Sequence, residues 1–149
     1  MKVLRIFSLI VVSGLLFVSC GDDANSEEDL LDYLSRNNIN AQSTPSGLYY
    51  VIDEPGVDPK PTSSSNVTVH YHGYLLDGTV FDSSVDRGTP LTISLNQVIA
   101  GWREGIPLFG TGGSGTLYIP AILGYGNAGS GSIPPNAAII FEVELISVN

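Results

Sequence analysis

The chain has few of the side chains that most often carry covalent or metal chemistry: one cysteine, two histidines and one tryptophan in 149 residues. The lone Cys20 excludes an intramolecular disulfide. Basic residues are scarce as well. Six Lys and Arg stand against fifteen Asp and Glu, a formal net charge of −9. That balance argues against nucleic acid, which selects basic surfaces. No serine has a histidine partner at a spacing that marks a hydrolytic triad. No Gly-rich loop leads into a phosphate-binding lysine, and no internal repeat is present. His70 and His72 sit at i, i+2 on one strand face, a pair that pinches a metal only with further ligands. They are read as part of a polar sheet face. No metal and no cofactor are expected.

Long hydrophobic runs are also lacking, with one exception. Lys2 and Arg5 precede an apolar stretch, Ile6 to Val18, followed by Ser19 and Cys20. The stretch is short for a membrane-spanning helix and has the layout of a secretory signal peptide. Leu16-Phe17-Val18-Ser19-Cys20 resembles a bacterial lipobox, with Phe17 where Leu, Val or Ile is usual. The expectation is removal of residues 1–19, acylation of Cys20, and anchorage to a membrane of the bacterial envelope, on its periplasmic or surface face. Lipid chains contribute about 0.8 kcal/mol per buried CH₂, so several hold firmly. The remaining chain has four basic residues against fifteen acidic ones.

Three segments are expected: residues 1–19 as signal peptide, 20–46 as acidic tether and short helix, and 47–149 as the main domain. Gly21 to Glu28 is acidic and small, as a tether is. Ser26 is placed as a helix N-cap ahead of the partly apolar face of Leu30, Leu31 and Leu34, with Asn37 and Asn38 as its end. So short a helix must dock or fray. Residues 41–46 are read as a link.

From Gly47 the pattern is β. Five strands are predicted, around 48–52, 67–71, 91–95, 117–119 and 139–145. In the later four, apolar residues alternate with mostly polar ones. Asp77-Gly78 is a hairpin turn signal. Residues 97–108 place Val98, Ile99, Trp102 and Ile106 on one face of a short helix. The fold class is α+β, an antiparallel five-stranded sheet wrapped around a short helix, with an N-terminal helical extension.

Aromatic residues gather near strand ends and loops: Tyr71, Phe81, Trp102, Tyr125 and Phe141. Core packing accounts for any one of them alone. Asp82 directly follows Phe81, and an acid in such company needs donors if it is buried. Tyr125 lies in Leu123-Gly124-Tyr125-Gly126, where glycines let backbone approach a ligand.

At these residues the chain resembles the FKBP family of peptidyl-prolyl isomerases. Val69-His70-Tyr71-His72-Gly73, Asp77-Gly78 with Phe81-Asp82-Ser83-Ser84, and Val98-Ile99-Ala100-Gly101-Trp102-Arg103-Glu104-Gly105 are similar to family motifs. So are Tyr125-Gly126 with Ile133-Pro134-Pro135-Asn136-Ala137, and Phe141-Glu142-Val143-Glu144-Leu145. The resemblance covers roughly residues 47–149. It implies cofactor-free isomerisation of X-Pro bonds, with Trp102 as the floor of a proline pocket. Tyr71, Phe81, Val98, Ile99 and Phe141 would be its walls. Asp82 would be its acid beside Tyr71 and Arg87, and Tyr125 and the Ile99 N–H its ligand donors. Leu91 and Ile133 are further expected contacts.

Leu91 stands where Phe is usual in the family, Gln97 where Glu is frequent, and Ser132 where an apolar residue is. The loop from Asn127 to Ile133 is about one residue shorter. Pro-containing polypeptides are the implied partners, macrolides the implied inhibitors, and a monomer the implied state. A weakly catalytic or non-catalytic module binding Pro-containing or unfolded segments is the alternative. A further reading has the N-terminal helix mediating dimerisation.

Overall fold

The structure is a computed structural model and describes residues 26–149. The expected signal segment, Cys20 and the start of the expected tether lie outside the described residues. The first element is helix α1 (Ser26–Arg36). It takes the last three residues assigned to the tether. Glu27, Glu28 and Asp29 form its acidic first turn, and Arg36 closes it, a polarity that suits the helix dipole. Ser26 is not an N-cap here. It is itself helical, and its hydroxyl accepts the Ala121 N–H at 3.0 Å. The helix ends as expected. Asn37 Nδ2 donates to the Tyr33 carbonyl at 2.8 Å, and Asn38 adopts φ 53, a conformation asparagine tolerates.

Among the described residues, seven strands form one antiparallel sheet: β1 (Gln42–Ser43), β2 (Tyr49–Glu54), β3 (Asn66–Leu75), β4 (Val80–Ser83), β5 (Leu91–Ser94), β6 (Ser114–Ile119) and β7 (Ile139–Val148). Their order is β1-β2-β6-β7-β3-β4, and β5 also pairs β3. All five predicted strands are present. β1, inside the expected link, and β4 are additional. One edge of β3 is shared. Asn66 to Val69 pair with β5, and His72 to Tyr74 pair with β4. The four-residue helix α2 (Ser84–Arg87) bridges the gap, capped by the Ser83 hydroxyl and closed by Gly88 at φ 68.

Strand alternation sends Val67, Val69 and Tyr71 from β3, and Ile139, Phe141, Val143 and Leu145 from β7, into the main core. Helix α3 (Ala100–Gly105) lies across this inner face. The predicted single helix over 97–108 is in fact three pieces. Leu95–Gln97 and Ile106–Leu108 are 3₁₀ turns, and Val98 and Ile99 are extended between the first turn and α3. Pro107 supports the tight last turn. Two glycines bring α3 onto β6. A Cβ on Gly101 would lie 2.6 Å from Ile119, and one on Gly105 2.7 Å from Leu117.

The outer face is divided. Leu30 and Leu34 of α1 pack on Tyr118, Ala138 and Ile140. Each buried leucine contributes about 1.5–3 kcal/mol of gross stabilisation. Beyond α1 the outer face is polar, with His70 and His72 of β3 beside Glu144 and Glu142 of β7.

Candidate active site

β3, β4, β5, β7 and α3 converge on one cavity of about 300 Å³. Its lining is Tyr71, Phe81, Asp82, Leu91, Ile93, Gln97, Val98, Ile99, Trp102, Tyr125 and Phe141. The six residues singled out as the heart of the site therefore meet in one place. Trp102, at the start of α3, is 4% exposed. Its ring meets Tyr71 edge-on at 5.2 Å and Phe141 at 5.1 Å. Phe81 stands edge-on to Phe141 at 5.4 Å. These T-shaped pairs are the favoured arrangement of ring quadrupoles, and they hold the walls rigid. The indole N–H of Trp102 is buried and finds no acceptor among the described residues. An unpaired buried donor costs about 1–3 kcal/mol, and the wall packing retains it.

One polar network enters this apolar setting. The Tyr71 hydroxyl donates to Asp82 Oδ2. Arg87 Nη1 donates to Asp82 Oδ1, and Arg87 Nη2 donates to the Tyr71 oxygen at 2.9 Å. The guanidinium also lies over the Tyr71 ring, 5.7 Å from its centre. Burial alone would raise the Asp82 pKa, but the Tyr71 hydroxyl and Arg87 outweigh it and hold the carboxyl below its ordinary range. Burial, with the Asp82 hydrogen bond second, pushes the Tyr71 hydroxyl up. Burial also raises Tyr125, with the Asp82 charge adding to it. The acid is thus ionised and both its oxygens are engaged.

Arg87 is not part of the lining; it holds the lining through Asp82 and Tyr71. Ile133 is not part of it either. The loop folds back on itself through paired hydrogen bonds between Ser130 and Ile133, and Ile133 joins the main core at 6% exposure. Sequence reasoning missed Ile93 as lining and left Gln97 outside the site set. Ile93 carried a signal, because it lies two residues from Leu91 and so shares its face. Tyr125 stands at the rim, partly exposed. The Ile99 N–H, at the extended entry to α3, donates to no group among the described residues. Among these residues, no group of three or more His, Cys, Asp or Glu is placed to hold a metal ion.

The sequence model of the family described as FKBP-type peptidyl-prolyl cis-trans isomerase matches residues 58–146. The FKBP-type peptidyl-prolyl cis-trans isomerase FkpA of Aeromonas hydrophila is 48% identical over 119 residues, which are 78% of this chain and 44% of that protein. The outer membrane protein MIP of Legionella longbeachae is 47% identical over 105 residues, 70% of this chain and 45% of that protein. The crystal structure of FkpA from Escherichia coli superposes with a TM-score of 0.79 at 39% identity, covering 86% of this chain and 61% of that one. The chain spans about half the length of the curated relatives it matches. On the matched residues, the shared fold and the convergence of the five motifs on one cavity, the chain belongs to the FKBP-type peptidyl-prolyl cis-trans isomerase family.

Proposed function

We propose that the protein accelerates rotation about X-Pro bonds in exported or envelope polypeptides. The observation that carries this reading is the aromatic-walled cavity of about 300 Å³, closed by one acid whose charge is already neutralised. Amide resonance sets the uncatalysed barrier at about 18–20 kcal/mol. In the twisted state the nitrogen is no longer conjugated and the carbonyl carries less negative charge. A dry apolar pocket therefore favours the twisted amide over the planar, better-solvated one. Each 1.36 kcal/mol so gained is about tenfold in rate.

In this reading Trp102 is the floor, and Tyr71, Phe81, Leu91, Val98, Ile99 and Phe141 grip the proline ring. The Tyr125 hydroxyl and the Ile99 N–H hold the flanking carbonyls. Asp82, with both oxygens engaged by Tyr71 and Arg87, orders the pocket and its field and takes no proton. Macrolides would occupy the same cavity. Proline-limited refolding of a test protein decides. Acceleration that Trp102→Leu removes supports the enzyme. Binding of Pro-containing segments without acceleration assigns the chain to a non-catalytic module instead.

The same proposal places the domain, residues 47–149 with α1 packed against it, on a membrane through acylated Cys20. The signal-like segment before Cys20 and the relative named as an outer membrane protein support an envelope setting. No helix among the described residues is long and apolar enough to cross a membrane. Radiolabelled fatty acid incorporated by the wild type and not by Cys20→Ser would support the anchor; equal labelling would refute it.

A further inference from the structure

The outer side of β3 carries a second hollow, of about 350 Å³, whose lining includes His70, His72, Asp53, Glu142 and Glu144. The charged groups that face the two histidines are all acidic. Glu144 and Glu142 of β7 lie directly across from them, Asp53 comes from β2, and Asp86 of α2 approaches His72 Nδ1 at 3.9 Å. On the inward side each histidine meets a serine. His70 Nδ1 is 3.0 Å from Ser84 Oγ, and His72 Nδ1 is 3.0 Å from Ser83 Oγ. Both serines are buried, Ser84 completely.

These serines are tied to the aromatic cavity. Ser84 Oγ accepts the Tyr71 N–H at 2.7 Å and lies 3.2 Å from the Tyr71 carbonyl. Ser83 Oγ accepts the Asp86 N–H at 3.1 Å and so caps α2, the helix that carries Arg87 to Asp82. A hydroxyl has one hydrogen and two acceptor positions. Ser84 therefore satisfies all three of its neighbours in one way only: it accepts from Tyr71 N–H and from a proton on His70 Nδ1, and donates to the Tyr71 carbonyl. With a bare Nδ1, its one hydrogen must choose between the imidazole and that carbonyl. Ser83 has room for the same second acceptance, from His72 Nδ1–H, while it caps α2.

We propose that His70 and His72 are positioning residues for the cavity, donating from Nδ1 to Ser84 and Ser83 so that Tyr71 and α2 hold Arg87 on Asp82. An imidazolium always has the Nδ1 proton. A neutral ring has it in only one of two tautomers, and the Ser84 geometry selects that one. The proposal rests on the cavity being the working site, and its test has a readout that does not.

The test compares His72→Ala and His72→Asn, and likewise His70→Ala and His70→Asn, in the full chain. The Asn amide reaches the Nδ1 position and can donate there; Ala cannot. The titration of the Asp82 carboxyl, followed by carbon NMR, reports the Arg87 pairing directly. The expected result is a midpoint kept in the Asn variants and moved up by about half a unit or more in the Ala variants. In parallel, kcat/KM in proline-limited turnover is expected to stay near the wild-type value in the Asn variants and to fall about two- to three-fold in the Ala variants. Asp82 titrating alike in wild type and Ala variants overturns the proposal, as does equal impairment of Asn and Ala. If no turnover is seen in any form, the isomerase reading fails while the carbon titration still decides the positioning role.

Discussion

A single methyl group added at Gly73 tests whether the cavity walls are held as described. Gly73 lies on β3 between Asp82 of β4 and Phe141 of β7. A Cβ there would lie 2.7 Å from Phe141 Cε1, 2.7 Å from Phe81 Cε2 and 2.8 Å from Phe81 Cζ. Its backbone is in a region open to any residue, so Gly73→Ala acts through space alone. Carbon atoms prefer about 3.5 Å or more, so each ring must retreat by about 0.8 Å. Those rings are edge-packed on each other and through Phe141 on Trp102, so they cannot yield separately. Overpacking of this kind costs about 1–3 kcal/mol, or roughly 4 °C in melting temperature for each kcal/mol. Displacing a binding wall by about 1 Å costs up to ~100-fold in rate. The expected outcome is kcat/KM reduced about 10- to 100-fold in proline-limited refolding, with the protein still folded at 25 °C. Unchanged turnover together with an unchanged melting temperature would refute the wall geometry.

Trp102→Leu is expected to lower kcat/KM by about tenfold or more, since it removes the floor and two ring pairs worth about 0.5–1.5 kcal/mol each; undiminished refolding assistance would contradict the placement. Asp82 has a folded-state pKa below its ordinary value, so its ionised pairing stabilises the fold above the ordinary carboxylate range and is lost as pH falls through the folded value. The stability gap between wild type and Asp82→Asn in urea unfolding is therefore expected to shrink from about pH 6 to below about pH 3; a constant gap would argue against the Arg87 pairing. Leu30→Ala is expected to cost about 2–5 kcal/mol, because the side chain is fully buried under α1. A loss under about 0.5 kcal/mol, the usual range for a surface change, would mean that α1 does not dock as described.

Strand alternation made β3, β5, β6 and β7 legible, because each turns one face to the main core. The same alternation held a further signal. Tyr118 and Ile140 fall on the faces of β6 and β7 that ought to be polar, and both lie under α1. Two large apolar residues on a polar face mark where a short helix must dock. β4 was not legible from its pattern. Four residues, Val80 to Ser83, are too few to show a period, and β3 contributes the pairing that makes them a strand. The helix predicted over 97–108 lost its first turns because Val98 and Ile99 are held extended against the cavity, a tertiary effect that propensity does not record. Ile133 lies behind the cavity lining for a similar reason. The Ser130–Ile133 doubling of its loop turns the side chain into the core, and no local spacing shows that turn.

The two faces of the sheet divide the work. Inward side chains of β3 and β7 build the cavity, and the next residue along each strand builds the outer surface. Tyr71 is flanked by His70 and His72, and Phe141 by Ile140 and Glu142. Part of that outer surface is spent on α1, whose buried leucines pack on the chain's own Tyr118, Ala138 and Ile140. Among the described residues of α1, Leu31 is the large apolar side chain left exposed. We propose a monomer as the state seen by sedimentation. A concentration-dependent dimer that Leu31→Glu dissolves would reverse that expectation. It would also place the pairing surface on the helix's outer side and leave its docking intact.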